Sequence, residues 1–200
     1  MISLCGKSGS CNSGVIMRFS PLNAIGKPVE RKDLKVFLLA VLTCFVMLGL
    51  DQLTKYYVVC QIPFHARIPV INGFFDLTHI TNTGAAWGIL AGRMWLLLAI
   101  SGLVFAGAIV FMRILTEGWA ERYFAIFLVL SGILGNSIDR IFRGAVVDFL
   151  CFYIGKYAWP SFNVADICIC CGAFLYMLST LLRPEHRKNP DSLDYVQYKK

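Results

Sequence analysis

The chain has 200 residues, 57% of them hydrophobic and 16% charged, with a formal net charge of +7 and a mean hydropathy of +0.64. Soluble domains carry about 45–50% apolar and about 25% charged residues, so an ordinary soluble enzyme is excluded and an integral membrane protein is indicated. The positive balance calls for no nucleic-acid partner, because basic tails beside anionic inner-leaflet lipid account for it.

In chain order, residues 1–33 form a Gly-, Ser- and Asn-rich stretch expected to be a disordered cytoplasmic tail. GKS at Gly6 to Ser8 resembles the end of a phosphate-binding loop, but Met1 stands where that motif needs its first glycine. A bilayer core about 30 Å thick takes roughly 20 apolar residues per helix, and four windows approach that length. They run over about 34–50, 94–114, 123–141 and 164–182. The first follows Arg31, Lys32 and Lys35 as a signal peptide would, yet it ends in LGLDQLTKYY rather than at a small-residue cleavage site and reads as a retained anchor. Residues 183–200 are a second polar tail.

Orientation follows from Lys and Arg in the flanks. Thirteen lie in the two tails, the start of the first window and the connector holding Arg113 and Arg122; six lie at Lys55, Arg67, Arg93, Arg140, Arg143 and Lys156 on the other side. This places both termini in the cytoplasm. Of the eight cysteines, those in the helices read as small buried hydrophobes. Cys60 and Cys151 both fall on the outer side, where location alone permits a disulfide.

Ionisable groups at membrane depth are costly, so each asks for a function. Asp51 and Lys55 close the first window at i, i+4; Asn136, Asp139 and Arg140 close the third; Asn163 and Asp166 open the fourth at i, i+3. The polar NTGAAWG, residues 82–88, precedes the second. All of these lie at one level near the outer surface. Bland readings stand beside each. Asp139 with Arg140, and Asp51 with Lys55, suit ion pairs that tie helix ends, and Asn82 and Gly84 suit a turn.

Asp148, in GAVVDFLCF, and Asp166 have no basic neighbour within four positions on their own segments. Asp166 would also suit the positive end of a helix dipole, with Asn163 as its cap. The pattern alone admits both the structural and the functional reading of this pair. His65, His79 and His186 lack the spacing of a metal or nucleophile motif, and no GxSxG is present. Two carboxylates remain. Close together and buried, they would share one proton at neutral pH, one acting as general base toward water and the other as acid toward a carbonyl oxygen. Neither a cofactor nor a metal is expected.

Five blocks in order then resemble the lipoprotein signal peptidase family, the type II signal peptidases of bacteria. They are DQLTK at Asp51, NTGAAWG at Asn82, GILGNSIDR at Gly132, GAVVDF at Gly144 and FNVAD at Phe162, within residues 34–182. The resemblance implies an aspartyl endopeptidase of the bacterial inner membrane that cuts diacylglyceryl-modified prolipoproteins on the amino side of the lipidated cysteine. Its catalytic aspartates fall on Asp148 and Asp166. Asp51, Lys55, Asn82, Gly84, Asn136, Arg140 and Asn163 match positions that support the dyad or contact substrate, while Asp139 reads as structural. Expected partners are prolipoprotein substrates and membrane lipids, with the chain a monomer.

The implied fold is an all-α membrane protein of four transmembrane helices with a small β-sheet and an amphipathic loop segment on the periplasmic side. IPFHARIPVINGFFDLTHIT suits that sheet, with Asn72-Gly73 as a turn. Departures from the family are Ser131 in place of a glycine, Trp87-Gly88 in place of Phe-Ser, and the long N-terminal tail, within which Met17 is a candidate start. Trp87 bears on substrate or inhibitor preference rather than on catalysis. Two rival classes are a four-helix membrane thiol oxidoreductase using Cys60 and Cys151 and a proton-coupled transporter using the carboxylates.

Overall fold

A computed structural model of the chain describes residues 31–85 and 88–182. The Gly6–Ser8 stretch, Met17, Trp87 and the C-terminal tail lie outside the described residues.

Helix α1 (Arg31–Gln61) is 31 residues long, well past the expected end near residue 50. Asp51, Gln52, Thr54 and Lys55 look like a terminus in sequence, but their polar groups find partners inside the bundle or on the helix itself. Thr43 and Thr54 donate to the carbonyls of Leu39 and Leu50 at 2.9 and 2.8 Å. The helix stops just before Pro63, where a ring in place of an N–H ends the ladder.

Strands β1 (Arg67–Ile71) and β2 (Phe75–Asn82) form the expected antiparallel hairpin, turning through Gly73 at φ +74°. Helix α2 (Met94–Val110) has 17 residues, stops at Phe111, and is followed by the short α3 (Met112–Thr116). The expected window of 94–114 is therefore two helices. Glu117 and Gly118, both left-handed, turn the chain into α4 (Ala120–Arg143). Gly144 ends α4 at φ +78°, its N–H donating to the Arg140 carbonyl at 3.2 Å, as a glycine terminator does.

Strands β3 (Val146–Ile154) and β4 (Tyr157–Ala158) follow, and α5 (Val164–Leu182) closes the described chain. The sheet order is β1-β2-β3-β4, all antiparallel. Strand β3 was not anticipated, although VVDFLCFYI is rich in β-branched and aromatic residues. It carries Asp148 opposite Ile80 of β2.

The protein is thus mainly helical with a small antiparallel sheet. Among the described residues three helices, Leu34–Gln61, Ala120–Arg143 and Val164–Leu182, are long and apolar enough to cross a membrane; α2 is apolar but shorter. Helix α4 lies between α1 and α5, and glycines allow the approach. A Cβ on Gly135 would stand 2.5 Å from Asp51 Oδ2, and one on Gly172 would stand 2.5 Å from the Ala125 carbonyl. Ser131 is buried and donates to the Leu128 carbonyl at 2.7 Å, so the small hydroxyl fits the seam. Helix α2 leans on α4 and buries only Leu97. At the sheet end of the bundle, Val58 and Ile62 of α1 pack on Val147 and Phe149 of β3.

Candidate active site

The C-terminal ends of α1 and α4, the N-terminus of α5 and the strands β2 and β3 meet in one polar region. Its base is a chain of alternating charges. Lys55 Nζ lies 2.9 Å from both Asp51 Oδ2 and Asp139 Oδ2, and Arg143 pairs with Asp139 Oδ1. Lys55, Asp51 and Asp139 are each at most 1% exposed. Two acids and two bases leave the chain neutral, which is how charges survive removal from water. Asp139 also accepts the Val147 N–H at 3.2 Å, and Asp51 accepts the Ala165 N–H at 2.8 Å, so the same cluster holds the starts of β3 and α5.

The expected Asp139–Arg140 pair is not formed. Adjacent residues on a helix do not face each other, and Asp139 takes Arg143, one turn on, together with Lys55. Arg140 turns the other way and donates to the Gly84 carbonyl at 2.9 Å and the Asn136 carbonyl at 3.3 Å. Its Nε is buried without a partner among the described residues, and the carboxylates of Asp166 and Asp148 both act electrostatically on its guanidinium.

Above this base, two asparagines hold the two aspartates. Asn163 Nδ2 donates to Asp148 Oδ1 at 2.7 Å. Asn136 Nδ2 donates to Asp166 Oδ1 at 2.8 Å. The pair is itself linked, Asn163 Nδ2 lying 3.3 Å from Asn136 Oδ1, and Lys55 donates to that same oxygen at 3.1 Å. Asn163 is also the cap of α5. Its Oδ1 accepts the Asp166 N–H at 3.1 Å while Asp166 Oδ2 accepts the Asn163 N–H at 3.3 Å, a reciprocal capping box. The structural reading of Asp166 therefore holds, but it uses only one of the two carboxylate oxygens.

Asp148 is 4% exposed. Burial first, then the neighbouring Asp166 charge, push its carboxyl up to about 7, while hydrogen bonds from Asn163 and Asn82 oppose the rise. Asn82 shapes the adjoining loop as an Asx turn, its Oδ1 accepting the Gly84 N–H at 2.9 Å. Gly84 has no room for a side chain, since a Cβ would lie 2.8 Å from the Ile89 carbonyl.

All nine residues singled out in the sequence thus share one region. Two more belong to it. Gln52 donates to Asp51 Oδ2 at 3.1 Å and to the Gly135 carbonyl at 3.2 Å, and accepts from Arg143 at 3.3 Å. The i, i+4 spacing of Asp139 and Arg143 was the available signal for the second. His79 instead serves the sheet, its Nδ1 lying 2.8 Å from the Ile62 carbonyl. Among the described residues no group of three His, Cys, Asp or Glu side chains could hold a metal ion. Cys60, exposed on α1, and Cys151, buried on β3, are both free thiols, so the disulfide permitted by location is not formed.

Such an arrangement, two carboxyl groups held by a shared amide network with one of them kept protonated toward neutral pH, has the parts for acid–base hydrolysis. The chain is similar to known proteins over most of its length. The family model for signal peptidase (SPase) II matches residues 43–182. A lipoprotein signal peptidase of Bacillus pumilus is 44% identical over 140 residues, covering 69% of this chain and 89% of that protein. One from Nitratidesulfovibrio vulgaris is 44% identical over 157 residues, covering 76% and 94%. Among solved structures, a bacterial membrane enzyme determined by the in meso method at 2.3 Å superposes with a TM-score of 0.69 at 32% identity, covering 75% of this chain and 92% of that one.

Proposed function

The chain belongs to the signal peptidase II family, and from that premise we propose that it removes signal peptides from diacylglyceryl-modified prolipoproteins, cutting on the amino side of the lipidated cysteine. Asp148 and Asp166 are the catalytic pair. The observation that carries this reading is the Asn136–Asn163 bridge, which gives each carboxylate its own amide donor.

The mechanism follows from the deeper burial of Asp148, which favours its protonated form. Asp148 holds a proton up to about pH 7 and donates it to the scissile carbonyl oxygen. Asp166, whose oxygens accept two N–H hydrogen bonds, takes the proton from the attacking water. Collapse of the tetrahedral species returns a proton to the leaving amine. Arg140, buried and with a hand on the Gly84 carbonyl, orients the substrate backbone beside the Asn82–Gly84 loop. Lys55 and Asp51 hold the asparagines and the α5 terminus in place. No metal or covalent intermediate enters.

For topology we infer four spans over residues 34–182: α1, α2 continued by α3, α4 and α5. Both tails lie in the cytoplasm of the bacterial inner membrane, the sheet and the aspartates lie at the periplasmic surface, and the chain acts as a monomer. Basic residues in the tails support this sidedness.

The test is cleavage of a lipidated precursor by protein purified in detergent. Asp148→Asn and Asp166→Asn are each expected to lose about 10³-fold or more in kcat while staying folded; Cys60→Ala/Cys151→Ala should retain activity. Equal cleavage of lipidated and unlipidated precursor would overturn the substrate assignment, and activity lost only in the cysteine variant would move the protein to redox chemistry.

A further inference from the structure

Beneath the polar region lies an apolar crevice of about 310 Å³ between α2, α4 and α5. Its walls include Val104 and Ala108 of α2, Ala125 and Val129 of α4, and Ala173 and Met177 of α5. These positions stand in a simple relation to the site. Val129 and Ala125 are seven and eleven residues before Asn136, and Ala173 and Met177 are seven and eleven residues after Asp166. Seven residues are close to two helical turns and eleven close to three, so each wall lies on the same helix face as the site residue above it. At 1.5 Å per residue the crevice sits about 10–16 Å below the aspartates. Leu115 and Tyr176 also line it, and at its inner end the Tyr176 hydroxyl donates to the Leu115 carbonyl at 3.1 Å.

We propose that this crevice is the subsite for an acyl chain of the substrate's diacylglyceryl group. The assignment rests on the function proposed above and adds to it the place where the lipid is read. Size favours a hydrocarbon chain over a helical segment of the signal peptide. Spread over the roughly 6 Å between its upper and lower walls, the volume gives a section on the order of 50 Å², about half that of a helix with side chains about 10–12 Å across. At about 30 Å³ for a unit the size of a water or a methylene, it holds on the order of ten methylenes. Depth agrees as well. A chain whose glycerol lies level with Asp148 reaches the crevice with its distal half, and the Tyr176–Leu115 contact sets the floor. Because α2 packs loosely on α4, with one buried residue, the crevice opens to the bilayer along its length, which is the route a chain already dissolved in lipid would take.

The experiment compares precursors carrying two sixteen-carbon or two eight-carbon chains, cleaved by wild type, Ala173→Phe and Ala108→Phe. Wild type is expected to show a KM about tenfold or more lower for the long chains, since the short ones end above the crevice. Each Phe variant fills the crevice and should raise the long-chain KM to within twofold of the short-chain value, with kcat and short-chain KM unchanged. A wild type that does not distinguish the two lengths, or variants that keep the difference, would overturn the proposal. As a measurement that needs no variant, a long-chain precursor bearing a diazirine near the chain end should label Met177 or Val104. Labelling elsewhere, labelling of these residues from a probe in the signal peptide, or labelling by a diazirine phospholipid that excess precursor fails to displace would each reject it. Failure of wild type to cleave any lipidated precursor would instead reject the peptidase reading, and the labelling would still decide occupancy.

Discussion

Lys55 donates to Asn136 Oδ1 at 3.1 Å, and this fixes which way the Asn136 amide points, because an ammonium group can face only the amide oxygen. The NH₂ is thereby turned to Asp166. A residue that pairs with neither Asp148 nor Asp166 thus sets the donor that Asp166 receives.

Replacing Lys55 by Met should cost more than this orientation. It leaves Asp51 and Asp139 buried without their shared cation, and removing one partner of a buried ion pair costs about 3–5 kcal/mol. The expected result is a large fall in the detergent-solubilised Tm and little folded protein. A Tm within 2 °C of wild type, roughly what less than 1 kcal/mol would produce, would mean that the charge cluster is not buried.

Asp148→Asn should stabilise the protein at alkaline pH while abolishing cleavage. The Asp148 carboxyl titrates near 3.8 in the unfolded chain and about 7 in the folded one. Between those values the folded state binds the extra proton, so stability falls as pH rises through that window and stays low above it. Asparagine carries no such charge. Measured Tm values should therefore diverge in favour of the variant from about pH 4 to about pH 7 and run parallel above it; curves parallel throughout would show that Asp148 titrates normally.

Asn163→Ala should shift the alkaline limb of the kcat/KM profile upward. Its amide opposes the rise of the Asp148 carboxyl, so without it the proton stays on Asp148 to higher pH. The variant also loses the cap of α5, about 0.5–2 kcal/mol. Asn163→Ser restores a cap oxygen but not the donor to Asp148. Rescue of Tm without rescue of the pH profile is expected, and recovery of both would assign Asn163 to the helix alone.

Gly135→Ala should lower both Tm and kcat, since the added methyl meets Asp51 Oδ2 and, at 3.2 Å, the Ala165 side chain. Overpacking of this kind costs about 1–3 kcal/mol. It would displace the first turn of α5, which carries Asp166. An Ala variant with unchanged kcat would show that this turn has slack.

Chelators should leave turnover unchanged, as proton transfer between carboxylates requires no ion. Loss of cleavage by EDTA, restored by zinc, would contradict this.

Hydropathy made the helices legible because lipid demands long apolar runs, and 164–182 agrees with α5 to the residue. It failed where polar side chains are satisfied inside the bundle, which is why α1 runs eleven residues past its expected end. Strand β3 stayed hidden because a strand buried on both faces has no alternation to see; its first four residues are all buried. The site residues were legible as misplaced polar groups, and the family resemblance sharpened them. Their partners were less so, since Lys55 with Asn136, or Arg140 with the Gly84 carbonyl, are contacts over more than fifty positions of chain.

The double duty of Asn163 has a pharmacological consequence. An inhibitor that takes its main hydrogen bond from this amide would be hard to escape by point mutation, because a change that removes the amide strips Asp148 of its donor even where, as with serine, it keeps a cap on the last helix. Resistance at this position would arrive already paired with a loss of fitness.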